Sequence, residues 1–101
     1  MSKILISTHK NYIFPTSTLY TAIQVGKINN PESIVAIGDN TGTHISQKNS
    51  FFCELTALYW AWKNEFFKGS DFCGLVHYRR YFKGSGERIK GKAILEESEI
   101  I

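Results

Sequence analysis

No apolar run in this sequence approaches the roughly 20 residues needed to cross a bilayer, and the first residues, Met1 to Ser7, lack the apolar core of a signal peptide. The expected location is therefore the cytoplasm, with peripheral association at the inner face of the cell membrane left open. Cysteine is scarce too: Cys53 and Cys73 match no metal-ligand spacing, and each interrupts an apolar stretch where a reduced thiol packs as a small hydrophobe. No structural disulfide is expected. The histidines His9, His44 and His77 show no ligand spacing either, so they are no evidence for a metal. Internal repeats and low-complexity tracts are also missing.

What is present suits one small folded unit, expected to be a single domain over residues 1–101. Of the 101 residues, 43% are apolar and 14% aromatic, enough for a real core. The net charge of +3 is modest but unevenly distributed. Arg79, Arg80, Lys83, Arg88, Lys90 and Lys92 are opposed over residues 79–92 only by Glu87, so this segment prefers an anionic partner.

Hydrophobic patterning places the elements. Residues 3–8 form a β-branched apolar run that reads as a strand buried on both faces, with residues 8–11 as its polar exit. Residues 22–26 suit a short extended piece. Pro31-Glu32-Ser33 opens the run Ile34-Val35-Ala36-Ile37, a strand or a buried loop that stops at the turn-forming Gly38-Asp39-Asn40-Thr41-Gly42. From Ser50 the period changes: Phe52, Leu55, Tyr59, Trp62 and Phe66 fall at helical spacing, widened by Phe51 and Leu58. The pattern predicts a helix over residues 50–67, with Ser50 as its cap, Glu54 near its positive end and Gly69 beyond its end. Residues 72–78 read as another strand. Strand, helix, strand implies parallel pairing through a crossover, so the fold class is α/β. Residues 83–86 read as a glycine-rich loop, and residues 94–101 as a helix just beginning, as though a larger domain were truncated there.

In parallel α/β sheets ligands bind beyond the carboxyl ends of the strands, so Thr8-His9-Lys10 and His77-Tyr78-Arg79-Arg80 are the first candidates. If the strand continues past Val76, His77 and Arg79 face one side while Tyr78 and Arg80 face the other. An arginine there can grip a phosphate through paired, charge-assisted hydrogen bonds, or form an ordinary ion pair. His9 can contact a nucleotide or sugar, or cap the strand end. The arginines beside His77 would lower its pKa and keep the imidazole neutral. Glu54 serves either as a helix-dipole partner or as a polar group directed into a pocket, and Asn49, Asp39 and Thr41 fit local hydrogen bonding in turns. Tyr59, Trp60 and Trp62 fit the core better than a sugar-stacking platform.

In order, KILISTHK (residues 3–10), IQVG (23–26), GDNTG (38–42), ISQKN (45–49), CELTALYWAWKN (53–64) and GLVHYRRYF (74–82) closely resemble one family, the domain-of-unknown-function 4422 family of bacterial capsular and exopolysaccharide glycosyltransferases. The last two motifs are the most specific. The resemblance spans nearly all of this chain but only the N-terminal part of a typical family domain. It implies a partial Rossmann-like, nucleotide-diphosphosugar transferase fold, a parallel sheet with flanking helices. It also implies a nucleotide-sugar donor, a uridine-linked galactose or related hexose, and a growing lipid-linked glycan as acceptor, in capsule, exopolysaccharide or lipopolysaccharide synthesis.

Carried over residue by residue, the resemblance puts Thr8 and His9 in the nucleotide pocket, Asn49 and Glu54 toward the donor, and His77, Arg79 and Arg80 where many such transferases place an Asp-x-Asp metal site. No Asp-x-Asp occurs here. Either arginines replace the cation at the leaving pyrophosphate, or manganese or magnesium ligands lie in the missing part. No cofactor and no catalytic carboxylate is assigned to this chain, whose activity by itself is left open. The alternatives are a non-catalytic anion or nucleic-acid binding module, motivated by residues 78–82 and the basic residues after them, and an inactive remnant with an unpaired sheet edge. The glycosyltransferase reading carries no nucleic-acid partner.

Overall fold

The computed structural model describes residues 2–30 and 32–100. Four parallel strands form the main sheet: β1 (Ser2–Thr8), β2 (Tyr20–Gln24), β3 (Ile37–Gly38) and β4 (Phe72–His77), in the order β3-β2-β1-β4. The apolar run of β1 makes it central, because only a strand covered on both faces can bury consecutive side chains. Ile4, Leu5 and Ile6 are all essentially inaccessible. In register, β1 pairs Ile4 with Tyr20 and Gly74, and Ser7 with Ile23 and His77. The fold class is α/β, as its sequence implies.

The alternation of β1 divides the core in two. Ile4 and Ile6 join Leu19, Tyr20, Val76, Tyr78, Ile89 and Ile94 on one face, while Leu5 joins Ile23, Val25, Ala57, Trp60 and Ala61 on the other. The second cluster is closed by α2 (Leu55–Lys63), which a short α1 (Asn49–Phe52) precedes. The first is closed by an antiparallel hairpin of β5 (Lys83–Ile89) and β6 (Lys92–Ile94).

Several expectations need correction. The continuous helix over 50–67 is broken at Cys53, whose φ of 53° and ψ of −131° cannot continue a helix. Within α2 the buried face is Thr56, Ala57, Trp60 and Ala61, not the aromatic stripe: Phe52, Leu55, Leu58 and Trp62 border an exposed apolar groove of about 520 Å³. Cys53 and Cys73 are both free and both exposed rather than packed. Residues 83–86 are strand rather than loop, and residues 92–94 are strand followed by a single 3-10 turn at Glu97–Glu99 rather than an incipient helix. The hairpin turn carries left-handed backbone at both Lys90 (φ 53°) and Gly91 (φ 82°), which matches the right-handed twist of the two strands.

Candidate functional site

The carboxyl ends of β1 and β4 lie side by side, and their ladder extends past the strands: the Tyr78 N–H donates to the Ser7 carbonyl at 3.0 Å. At the end of β1, Thr8 is fully buried and its hydroxyl donates to the Lys10 carbonyl at 2.6 Å. This tight turn turns His9 outward into solvent, its ring edge-on to Tyr78 with centroids 5.4 Å apart. Thr8 thus shapes the edge, and His9 is the group exposed on it.

At the end of β4 the chain reverses instead of running on extended. The Arg80 N–H donates to the His77 carbonyl at 2.8 Å, and Tyr78 turns into the core with 3% exposure. The expected alternation of His77 and Arg79 against Tyr78 and Arg80 is therefore wrong, because closing this turn takes the backbone out of the strand conformation. Both arginines stand exposed on the turn, with the Arg79 guanidinium 5.4 Å from the Tyr78 ring.

His77 is the electrostatic centre of this edge. Burial chiefly holds its pKa below the usual 6.5, Glu54 opposes the shift, and Arg79, His9 and Arg80 reinforce it. Its Nδ1 accepts the Arg79 N–H at 3.3 Å, so the neutral ring carries its proton on Nε2, available to an acceptor. Glu54, the residue after the break at Cys53, is thus within electrostatic reach of His77.

Asn49 does something different. Its amide donates to the Cys53 carbonyl at 2.7 Å and to the Thr56 hydroxyl at 2.9 Å, bracing the elbow between the two helices. Its side chain also lies against Gly26, where a Cβ would come within 3.0 Å of it and where the φ of 65° itself favours glycine. Beyond Gly26, the fully buried Asp39 carboxylate accepts from the Gly26 and Lys27 N–H groups at 2.9 and 3.1 Å and from the Ser46 hydroxyl. Sequence reasoning placed Asp39 in local turn bonding. Instead it ties β2, the loop after β3 and the approach to α1 into one scaffold beneath the strand ends.

The structure also gathers residues whose grouping the sequence did not reveal. Between the turn after β4 and the hairpin lies a cleft of about 680 Å³, lined by Tyr12, Tyr78, Arg79, Lys83, Arg88 and Lys92 among others. The one available signal was the excess of positive charge over residues 79–92. Among the described residues, no group of three or more His, Cys, Asp or Glu side chains is placed to hold a metal ion.

The family model described as "Domain of unknown function (DUF4422)" matches residues 3–101. This chain belongs to that family. Its fold is similar to the apo structure of the bifunctional glycosyltransferase WbbM, at 44% identity and a TM-score of 0.77 over 85% of this chain. The DUF4422 chain covers 15% of the WbbM chain. No curated protein matches it. Family and neighbour together make this a glycosyltransferase-related domain. No helix among the described residues is long and apolar enough to cross a membrane.

Proposed function

We propose that this chain is the nucleotide-sugar-binding part of a glycosyltransferase that transfers a hexose, galactose or a close relative, during synthesis of capsule, exopolysaccharide or lipopolysaccharide, with a lipid-linked glycan as acceptor. The observation that carries the reading is the convergence of His77, Arg79 and Arg80 with His9 beyond the carboxyl ends of two adjacent parallel strands, where α/β sheets receive ligands. The similarity to the bifunctional glycosyltransferase WbbM supports glycosyl transfer as the reaction class.

In this reading the exposed arginines neutralise the diphosphate as it leaves, the role a divalent cation plays in other transferases. The Nε2–H of neutral His77 donates to a phosphate or sugar oxygen, and Glu54 holds that ring against the repulsion of the arginines. Thr8 and Asn49 act through the backbone they brace, Thr8 by presenting His9 and Asn49 by positioning Glu54.

Calorimetric titration with uridine diphosphate and its hexose conjugates, with and without manganese, tests the assignment. Saturable binding without metal is expected, weakened about tenfold or more in Arg80→Ala, as loss of a charge-assisted contact implies. Failure of the folded chain to bind any of these ligands would sink the proposal. Binding that appears only with manganese would remove the arginines from the cation's role.

A further inference from the structure

We propose that the cleft between the turn after β4 and the β5–β6 hairpin is a separate anion site, taking a pyrophosphate group that carries an apolar or aromatic substituent. The proposal stands apart from the donor reading, although Arg79 borders both places.

Charge is the first argument. Arg79, Lys83, Arg88, Lys90 and Lys92 all line this cleft, and among the described residues no acidic side chain does. None of the five is in an ion pair or a side-chain hydrogen bond among the described residues; Arg79 and Lys90 lie only over the rings of Tyr78 and Tyr12. The acids nearby in sequence are already engaged. Glu87 accepts from the Thr16 and Ser17 N–H groups, while Glu99 accepts from those of Ser85 and Glu96. Uncompensated like charges around one cavity repel one another, and a bound anion with more than one charge relieves that repulsion.

Backbone conformation is the second. The first residue of the hairpin turn has a φ of 53°, a position that glycine or asparagine fills most easily, and here it is Lys90. The lysine is kept at a conformational cost, and it sets a cation at the tip of the hairpin beside Lys92.

The shape and floor of the cleft select the ligand class. Its volume of about 680 Å³ suits a small molecule, and the buried Ile89 and Ile94 with the partly exposed Phe82 form an apolar lining under the cations. A bare phosphate would leave that lining wet. A nucleic acid would need several free aromatic faces on which successive bases stack, whereas Tyr78 is buried with its ring edge-on against Tyr12 and Phe82 offers a single exposed ring. A pyrophosphate with an attached nucleoside or isoprenoid answers both features, and the two sources are separable by experiment.

The test is calorimetric titration of the full chain with inorganic pyrophosphate, farnesyl pyrophosphate, uridine diphosphate and a short single-stranded oligonucleotide. The titrations are repeated on Arg88→Ala/Lys92→Ala, which changes only the cleft, and on His77→Ala/Arg80→Ala, which changes only the strand-end edge. Arg88 and Lys92 are exposed, so their replacement is expected to leave the thermal unfolding curve in place; Lys83→Ala provides a second cleft variant. Inorganic and farnesyl pyrophosphate should bind the wild type and lose about tenfold or more in affinity in the cleft variants, but not in the edge variant. Farnesyl pyrophosphate tighter than uridine diphosphate identifies a lipid source, and the reverse order, with the same cleft dependence, a nucleotide source. No pyrophosphate binding, binding indifferent to the cleft substitutions, or tighter cleft-dependent binding of the oligonucleotide overturns the proposal. Loss of uridine diphosphate binding in the edge variant alone, with pyrophosphate binding intact, would leave both sites standing as separate entities.

Discussion

Tyr20 and Tyr81 meet edge to face with ring centroids 5.6 Å apart, yet their hydroxyls have different surroundings. That of Tyr20 donates to the Leu95 carbonyl, while that of Tyr81 is buried with no hydrogen-bond partner among the described residues. Burial pushes both phenols up to about 12, so each stays protonated through the physiological range. Removing a satisfied hydroxyl leaves the Leu95 carbonyl orphaned, whereas removing an orphan relieves a desolvation cost. Tyr20→Phe is therefore expected to destabilise by about 1 to 2 kcal/mol and Tyr81→Phe to be neutral or stabilising by about 1 kcal/mol, read from denaturant midpoints. His77 supplies a second residue-scale prediction. Its folded-state pKa lies below the unfolded value near 6.5, so the unfolded chain binds the proton first. The stability that neutral His77 contributes is complete above about pH 6.5 and is lost as pH falls through its folded-state pKa. Thermal unfolding from about pH 8 down to about pH 5 should show a smaller acid loss in His77→Asn than in the wild type. An equal loss in both would mean that other groups govern the acid limb.

At the scale of elements, the face that α2 turns toward the sheet decides which aromatic residues hold the fold together. Trp60, with 8% exposure, packs against the β-sheet, and its indole N–H donates to the Thr41 hydroxyl at 2.9 Å. Trp62 is 66% exposed, with Lys63 over its ring at 4.3 Å. Trp60→Ala is expected to cost about 3 to 5 kcal/mol, the range for emptying a buried aromatic site. Trp62→Ala should change stability by no more than about 0.5 kcal/mol. Chemical denaturation of the two variants side by side checks the assignment, and comparable losses would return Trp62 to the core. The helical period was legible from Phe52 to Phe66, but its phase was not. No proline or glycine announces the break, because it is made by a cysteine in a strained backbone conformation stabilised by the Asn49 amide. The hairpin escaped notice for a related reason: its turn uses Lys90-Gly91, and its strands carry glycine and charge that read as loop.

Across the whole molecule, β1 is the member that both halves of the core share, since its alternate side chains enter the two clusters on opposite faces of the sheet. That much was written in the run from Ile4 to Ile6; the order strand, helix, strand implied parallel pairing, but the pairing of β1 with β4 came from the fold. The strand ends as ligand-facing positions and the cationic bias of residues 79–92 were also legible, since composition and period are local properties that the chain carries before it folds. Tertiary structure alone decided that the chain turns back at Tyr78 and exposes both arginines, and that Glu54 comes within electrostatic reach of His77. It alone decided that Asp39 braces two loops rather than its own turn, and that scattered lysines close on one cleft. Each of these depends on contacts between residues far apart in sequence, or on which of several allowed backbone conformations the surrounding packing selects. Neither is encoded in the period or the charge of any single segment.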